Sequence, residues 1–268
     1  MILEMLGFAF VQRAFIAGIF IALSCAALGC FLVLRRFAMI GDGLAHLGFA
    51  AVALALVAGL APLALAIPLV MFLSLGILKL REKAGVAGET AIGLVSSLAM
   101  AAGVLLAGSG GGFSIDLYSF LFGSILAIEE TELALSVALS IAVILVIKIF
   151  YRSLFSITYD EDFAKVSGIK TSVVEKILIL LTALTVVLGM RIVGALLVSS
   201  LIIFPAVTAL QLSRGFRATI LAAMAFGVIS VIAGISVSFC LDLPTGASIV
   251  AVNFFMFAAA YAYGRFRG

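Results

Sequence analysis

The chain has 268 residues, 65% of them hydrophobic and 11% charged, and 16 basic against 13 acidic side chains leave a net charge of +3. Soluble domains run at about 45–50% apolar and about 25% charged, so a soluble enzyme, a disordered tail, a disulfide scaffold and a nucleic-acid binder are excluded. A transmembrane helix takes about 20 apolar residues. The expected fold is therefore an all-α polytopic membrane protein, a single transmembrane domain over residues 1–268, with eight or nine helices, short loops and a lipid bilayer around it.

The first apolar run is Phe15–Leu34. No basic segment or small-residue cleavage site precedes it, so it reads as a retained first span rather than a signal peptide. Cys25 and Cys30 in this run, and Cys240 much later, read as small packing residues. Arg35 and Arg36 close the first span. Leu44–Leu60 and Pro62–Leu78 follow as the second and third, separated only by Ala61, a weak boundary that keeps the count at eight or nine. Pro62 suits the start of a helix, where a missing N–H costs nothing. The fourth span is Ala91–Ala107, opened by Glu89, which reads as a favourable first-turn acid.

At the start of the second span stand Asp42 and His46. At i, i+4 on a helix they share one face, one turn apart. Ionisable groups inside a span are costly and point to function, and a carboxylate with an imidazole suits a divalent transition metal. Asp42 would also orient the ring and keep it neutral. Two ligands do not complete a structural site, but transit needs binding weak enough for release. The plainer reading makes Asp42 an N-cap between two glycines and His46 a packed residue.

After the fourth span the pattern breaks. Leu117–Ile128 is apolar but only about twelve residues long, too short to cross, and reads as a re-entrant or interfacial helix on the outer side held against protein. Glu129, Glu130 and Glu132 follow it. Together with Asp242 they make an acidic outer rim that either attracts cations or a partner or is simply solvated.

Leu133–Phe150 is the fifth span and Val173–Met190 the sixth. Between them, Tyr159–Thr171 is the longest loop. Asp160 can cap a short helix there, with Phe163 as an anchor and Ala164 and Gly168 four apart on one face. Such a helix could dock on a partner or be an ordinary solvated loop. The remaining spans are Ile192–Leu212, which Pro205 kinks, freeing a carbonyl for a cavity, Ala218–Leu241 and Leu243–Tyr263. Small residues at Ser230, Gly234 and Ser238, and at Cys25 and Gly29, allow close helix approach, better read as packing inside one subunit than as a dimer seam.

Lys and Arg set the orientation. With nine spans and the N-terminus outside, the clusters after spans one, three, five, seven and nine all face the cytoplasm. Arg13 and Arg191 are exceptions, and Arg191 is expected to snorkel at the outer boundary. There is no G-x-x-x-x-G-K-[ST] stretch and no H-E-x-x-H, so any nucleotide hydrolysis belongs to another polypeptide.

Five segments in order resemble the membrane permease of bacterial ABC-type zinc/manganese importers, over nearly the whole length. They are Arg35–Arg36 with Gly41–Asp42–Gly43–Leu44–Ala45–His46, Tyr118–Gly123 with the acids after it, Asp160–Ala164 with Gly168, Val193–Leu201 leading to Pro205–Ala206, and Leu241–Ala247. The match looks closest to the zinc-uptake branch. The resemblance implies a pathway formed with a second copy of the chain and Asp42 and His46 as the metal residues in it. It also implies a cytoplasmic ATP-binding subunit docked on a coupling helix at Asp160, Phe163, Ala164 and Gly168, and an extracytoplasmic metal-binding protein that delivers the ion. Glu129, Glu130 and Asp242 would form the outer rim or gate. The chain would be a multi-pass protein of the bacterial inner (cytoplasmic) membrane, with no permanently bound cofactor and zinc as cargo. Glu89 stands where many members have Asp, and no His stands near Ser96 or Ser97, where some zinc members have one. The competing reading is a secondary transporter driven by an ion gradient, whose internal repeats with paired broken helices the sequence does not clearly show. A third is a non-transporting scaffold.

Overall fold

A computed structural model describes residues 7–84, 88–109, 120–121, 123, 128–195 and 197–267, with side chains for all of these except 82–84, 266 and 267. Eleven helices occur among them: α1 (Ala9–Leu34), α2 (Ile40–Val57), α3 (Pro62–Ala84), α4 (Gly88–Ser109), α5 (Glu130–Ile149), α6 (Tyr151–Tyr159), α7 (Glu161–Val166), α8 (Thr171–Ile192), α9 (Val198–Leu212), α10 (Phe216–Leu241) and α11 (Thr245–Arg267). Eight of them, all but α6, α7 and α9, are long and apolar enough to cross a bilayer. No strand occurs among the described residues. A bilayer core offers no water to the backbone, so helices that close their own hydrogen bonds are the expected answer.

Burial sorts the bundle into an inner and an outer set. The spanning windows of α1, α2 and α8 are 67–72% buried, those of the other five spans 28–39%. α1 is the axis: it packs against α5, α8, α9 and α10. α2 lies against α3, α4 and α8, and α11 closes against α9 and α10. Ends are locally determined. After α1 the chain turns through Arg36 at φ +59, and Phe37 N–H returns to the Leu32 carbonyl at 2.9 Å. This left-handed turn satisfies carbonyls that a helix end leaves open. α5 opens with a capping box, Glu129 and Glu132 each accepting the other's backbone N–H.

The expected spans agree with the helices to within a few residues, with one displacement. The seventh, placed over Ile192–Leu212, is broken. α8 runs on to Ile192, an irregular connection follows, and α9 has only 15 residues. At about 1.5 Å per residue α9 reaches about 22 Å, short of a hydrocarbon core of about 30 Å. The connection is not outside the membrane layer. Ile192 and Gly189 approach Gly18 and Ile21 of α1, well inside that helix. Its backbone is satisfied by protein: Ala195 N–H donates to the Phe120 carbonyl at 2.7 Å, and Gly194 N–H to Met190 at 2.9 Å. The weak boundary expected at Ala61 is in fact a clear turn between α2 and α3, so the eighth-or-ninth question sits at α9 instead. Both α8 and α9 still begin or end at the basic end, so the sidedness is unaltered.

Most of Leu117–Ile128 lies outside the described residues, as do Tyr118, Ser119 and Phe122 of the second resemblance segment and Leu196 of the fourth. The described part packs against protein. Phe120 and Leu121 are buried. Gly123 adopts φ +78, and a Cβ there would meet the Ile192 carbonyl oxygen at 2.6 Å, so only glycine fits.

Arg191 does not snorkel. Its Nε lies 2.8 Å from Glu132 Oε1, both side chains largely buried, and its guanidinium sits over the Phe120 ring at 5.0 Å. Arg13 pairs with Glu130 at 2.6 Å. The two exceptions to the basic sidedness are thus neutralised by the acids at the start of α5. The small-residue ridges pack within the subunit: Gly234 abuts Ile249 of α11, Ser238 lies 3.2 Å from Thr245, and Gly29 touches the Ile202 carbonyl.

Removing one partner of a buried ion pair strands the other and costs about 3–5 kcal/mol. Arg191→Met should therefore lower the thermal midpoint of the detergent-purified protein sharply. Arg191→Met with Glu132→Gln should recover most of the loss, read by scanning fluorimetry; equal losses in the single and double variants would contradict the pairing.

Candidate functional site

Asp42 sits in the first turn of α2 and His46 one turn on. The helix begins at Ile40 with Met39 at the cap position, so Asp42 is not the N-cap. Most of α2 is buried, whereas the Asp42 and His46 side chains keep 33% and 19% exposure. Partial exposure recurs at Ala50 and Leu54, four residues apart, and marks one open stripe on an otherwise enclosed helix.

α2 and α4 run parallel, in close register. A Cβ on Gly43 would meet Ile92 at 2.8 Å, His46 meets Ser96, and Gly103 lies against Phe49. The orientation of the imidazole follows from this packing. His46 Nδ1 is 2.5 Å from Ser96 Oγ and 3.8 Å from Asp42 Oδ2. Ser96, not Asp42, holds the ring, which corrects the expectation from the i, i+4 spacing. When Nδ1–H donates to Ser96, Nε2 keeps its lone pair for a cation. Asp42 is then left as a second oxygen donor beside it. Glu89, exposed in the first turn of α4, lies two turns from Ser96 toward the basic end, on the same face.

α9 supplies the third wall. Gly41 abuts Ser199 and Ile202. The Ser199 hydroxyl is buried and has no hydrogen-bond partner among the described residues. Sequence reasoning placed Ser199 within a resemblance segment but assigned it nothing; a serine in an apolar run carries no signal of what faces it. Among the described residues no group of three or more His, Cys, Asp or Glu could hold a metal. The arrangement is a two-residue donor pair with hydroxyls nearby, suited to passing contact rather than a closed cage.

A second cluster lies at the basic end. Asp160 caps α7, its carboxylate accepting from Asp162 N–H at 3.0 Å and Phe163 N–H at 2.9 Å. Gly168 at φ +81 stops the helix. It and Ile169 return to the Lys165 and Ala164 carbonyls at 3.1 and 3.0 Å, a left-handed ending that glycine adopts without strain. Gly168 therefore lies past the helix, not on one helical face with Ala164. Ala164 is fully buried, while Phe163, Val166 and Tyr159 are 65%, 90% and 86% exposed.

α7 is tied to the bundle by charge. Arg35, which caps α1, reaches Glu161 at 3.2 Å and Glu175 of α8 at 2.9 Å. Arg81 of α3 joins the same Glu175 oxygen at 2.7 Å and stacks on Phe37, which leads into α2. Lys165 adds a contact to Glu161 at 3.0 Å. Burial opposes ionisation of Glu161, but the Lys165 hydrogen bond and the Arg35 charge together outweigh it and hold this carboxyl below its ordinary range. Of the outer-rim residues, Glu129 caps α5, Glu130 holds Arg13, and Asp242 ends α10 in a left-handed conformation at φ +52.

Eight helices long and apolar enough to span a bilayer define a polytopic membrane protein. The profile of the ABC 3 transport family matches residues 7–264, and the chain belongs to that family. It is similar to the manganese transport system membrane protein MntC of Halalkalibacterium halodurans, 33% identical over 265 residues, covering 99% of this chain and 91% of that protein. The high-affinity zinc uptake system membrane protein ZnuB of Haemophilus influenzae is 33% identical over 247 residues, covering 91% and 94%. In the solved structure of PsaBC from Streptococcus pneumoniae in complex with a Fab, a chain superposes with TM-score 0.88 at 29% identity, covering 100% of both. The chain is a multi-pass permease subunit of an ABC metal importer, and the ATPase is a separate subunit. The comparisons do not single out the zinc branch.

Glu175→Gln would leave two guanidinium groups without their shared charge, a loss of about 3–5 kcal/mol by the same reasoning. Glu161 acts in a defined pH window. A carboxylate with a depressed pKa adds stability above its unfolded value of about 4.3 and loses it as pH falls through the lower folded value. The difference in thermal midpoint between wild type and Glu161→Gln should stay flat from about pH 8 to 5 and shrink only below about pH 4.

Proposed function

We propose that this chain carries a divalent transition metal, zinc or manganese, inward across the bacterial inner membrane, past Asp42 and His46. The observation that carries the reading is the His46–Ser96 contact, which fixes the ring on a half-open face with Asp42 beside it. Carboxylate and hydroxyl oxygens suit manganese and an imidazole suits zinc, so the donor set names a class of ion rather than one ion. Relatives named for each metal, at equal identity, support the same breadth.

The pathway is proposed to lie between two copies of the chain, each a single transmembrane domain presenting the stripe of Asp42, His46 and Ala50. An extracytoplasmic metal-binding protein delivers the ion at the outer end, where Glu129, Glu130 and Asp242 stand. The ATPase subunit docks on α7, through the exposed Tyr159, Phe163 and Val166; Asp160, Ala164 and Gly168 shape that helix. Its movement reaches α2 through Arg35, Glu175 and Arg81, because the same charges that hold α7 also hold the segment leading to Ile40. Membership of an ABC family leaves the gradient-driven alternative without support.

Uptake of isotopic zinc and manganese, in cells lacking other importers, tests this. Asp42→Asn with His46→Ala should abolish uptake while the protein stays at its normal level in the membrane. Ser96→Ala should cost about tenfold, the low end for losing the partner that orients a ligand histidine. Ser96→Thr, which keeps the hydroxyl, should retain most uptake. Full uptake in the double variant defeats the assignment.

A further inference from the structure

A cleft of about 560 Å³ opens between α1, α5, α6 and α10 at the basic end, far from the stripe that carries Asp42 and His46. Three cations line it: Lys148 from the last turn of α5, Arg152 from α6 and Arg217 from the start of α10. The rest of the lining is apolar, with Ile144, Ile147, Leu221 and Met224 running along it. No acidic residue lines it. Arg13, Arg35, Arg81, Lys165 and Arg191 each meet a carboxylate. Lys148, Arg152 and Arg217 meet none among the described residues; Arg217 instead lies over the Tyr151 ring at 5.1 Å. Three uncompensated cations on one small apolar cleft repel one another and call for an anion.

The surroundings place the cleft at headgroup depth. α6 is a short helix with Leu154 and Ile157 buried and Tyr151, which lines the cleft, at its start. Tyrosines concentrate at the membrane interface, where one end of the ring is apolar and the other wet. Tyr151, Phe155 and Phe216 form a ring cluster with centroids 5.1–6.3 Å apart, fixing α6 against the foot of α10. Lys148 and Arg217 thus stand where two spans emerge, with greasy side chains directed toward the bilayer interior.

We propose that this cleft binds the headgroup phosphate of an anionic phospholipid of the cytoplasmic leaflet, with the first part of an acyl chain along Ile144, Ile147, Leu221 and Met224. Basic pockets between transmembrane helices on the cytoplasmic side suit such headgroups. The volume, within the range of about 300–1,000 Å³ usual for small-ligand sites, takes a headgroup and the beginning of a chain but not a whole lipid. A free phosphate would use the cations and leave the apolar wall uncovered, so the lipid is the ligand that matches the whole lining. The assignment is independent of which metal the subunit carries.

The test uses the full chain, purified with its ATPase subunit, delipidated in detergent and titrated with phosphatidylglycerol or phosphatidylcholine, bound lipid being counted by native mass spectrometry. Phosphatidylglycerol should bind about a hundredfold more tightly than phosphatidylcholine. Each basic side chain near an anionic lipid is worth about fivefold, so Lys148→Gln with Arg152→Gln and Arg217→Gln should weaken phosphatidylglycerol by about a hundredfold and bring it level with phosphatidylcholine. If the triple variant does not fold, Arg152→Gln alone should show the fivefold step. Leu221→Trp, which fills the apolar wall, should weaken both lipids. Equal binding of the two lipids by wild type overturns the proposal. So does displacement of phosphatidylglycerol by millimolar inorganic phosphate with Leu221→Trp without effect, which would mark a free-anion site. Unchanged lipid binding in the triple variant, accompanied by loss of the ATPase subunit, would give the cations to the protein partner instead.

Discussion

The structure depends on one constraint: inside a bilayer no water is at hand, so each polar group must find its partner within the protein or line a wet path. The break between α8 and α9 shows the constraint met. Val193, Gly194, Ala195 and Leu197 leave helical geometry beside the middle of α1, yet their N–H groups return to the carbonyls of Gly189, Met190, Phe120 and Gly194. Gly123 lets the Phe120 segment come close enough to accept that bond. The irregular stretch is tolerated because Phe120 and Gly123 pack directly against it.

Charges obey the same rule. Arg191 is held by Glu132 and the Phe120 face, Arg35 and Arg81 by a shared carboxylate on α8, and Arg35 by Glu161 as well. Against this background the open pair is informative. His46 has its Ser96 partner at one nitrogen, and Asp42 is too far from it to complete a neutral hydrogen-bonded couple. The pair therefore leaves a partly exposed carboxylate beside an imidazole held by Ser96.

Much of this was legible from residue order. Long apolar runs located eight of the spans, because lipid demands length and hydropathy whatever the packing. Asp160 was readable as a cap because capping is local, whereas Asp42 and His46 stood out only as candidates, because charge in a span is rare. The rest turned on contacts between distant segments. That Ile192–Leu212 would break could not be read from its hydropathy, since Val193, Ala195 and Leu197 are as apolar as any helix; the break is paid for by Phe120. Ser96 as the partner of His46 depends on the register of α2 against α4, which Gly43 and Gly103 set by allowing close approach. Gly168 misled for the opposite reason: four residues from Ala164 it fits a helical face, but its left-handed φ ends the helix first.

The two ends of the bundle differ in how they hold their arginines. At the outer end Arg13 and Arg191 are both bound to acids of α5, so this end of the bundle carries little uncompensated positive charge from them. At the basic end the buried arginines converge on Glu175, where α1, α3, α8 and the segment leading into α2 meet. A displacement of α7 there cannot stay local, because Glu161 and Glu175 share Arg35. Any shift of one carboxylate alters the hold on the other, and through Phe37 and Arg81 it alters the root of the helix that presents Asp42. The charge cluster at Glu175 thus touches, through Arg81 and Phe37, the residues that lead into α2, whose first turn carries Asp42.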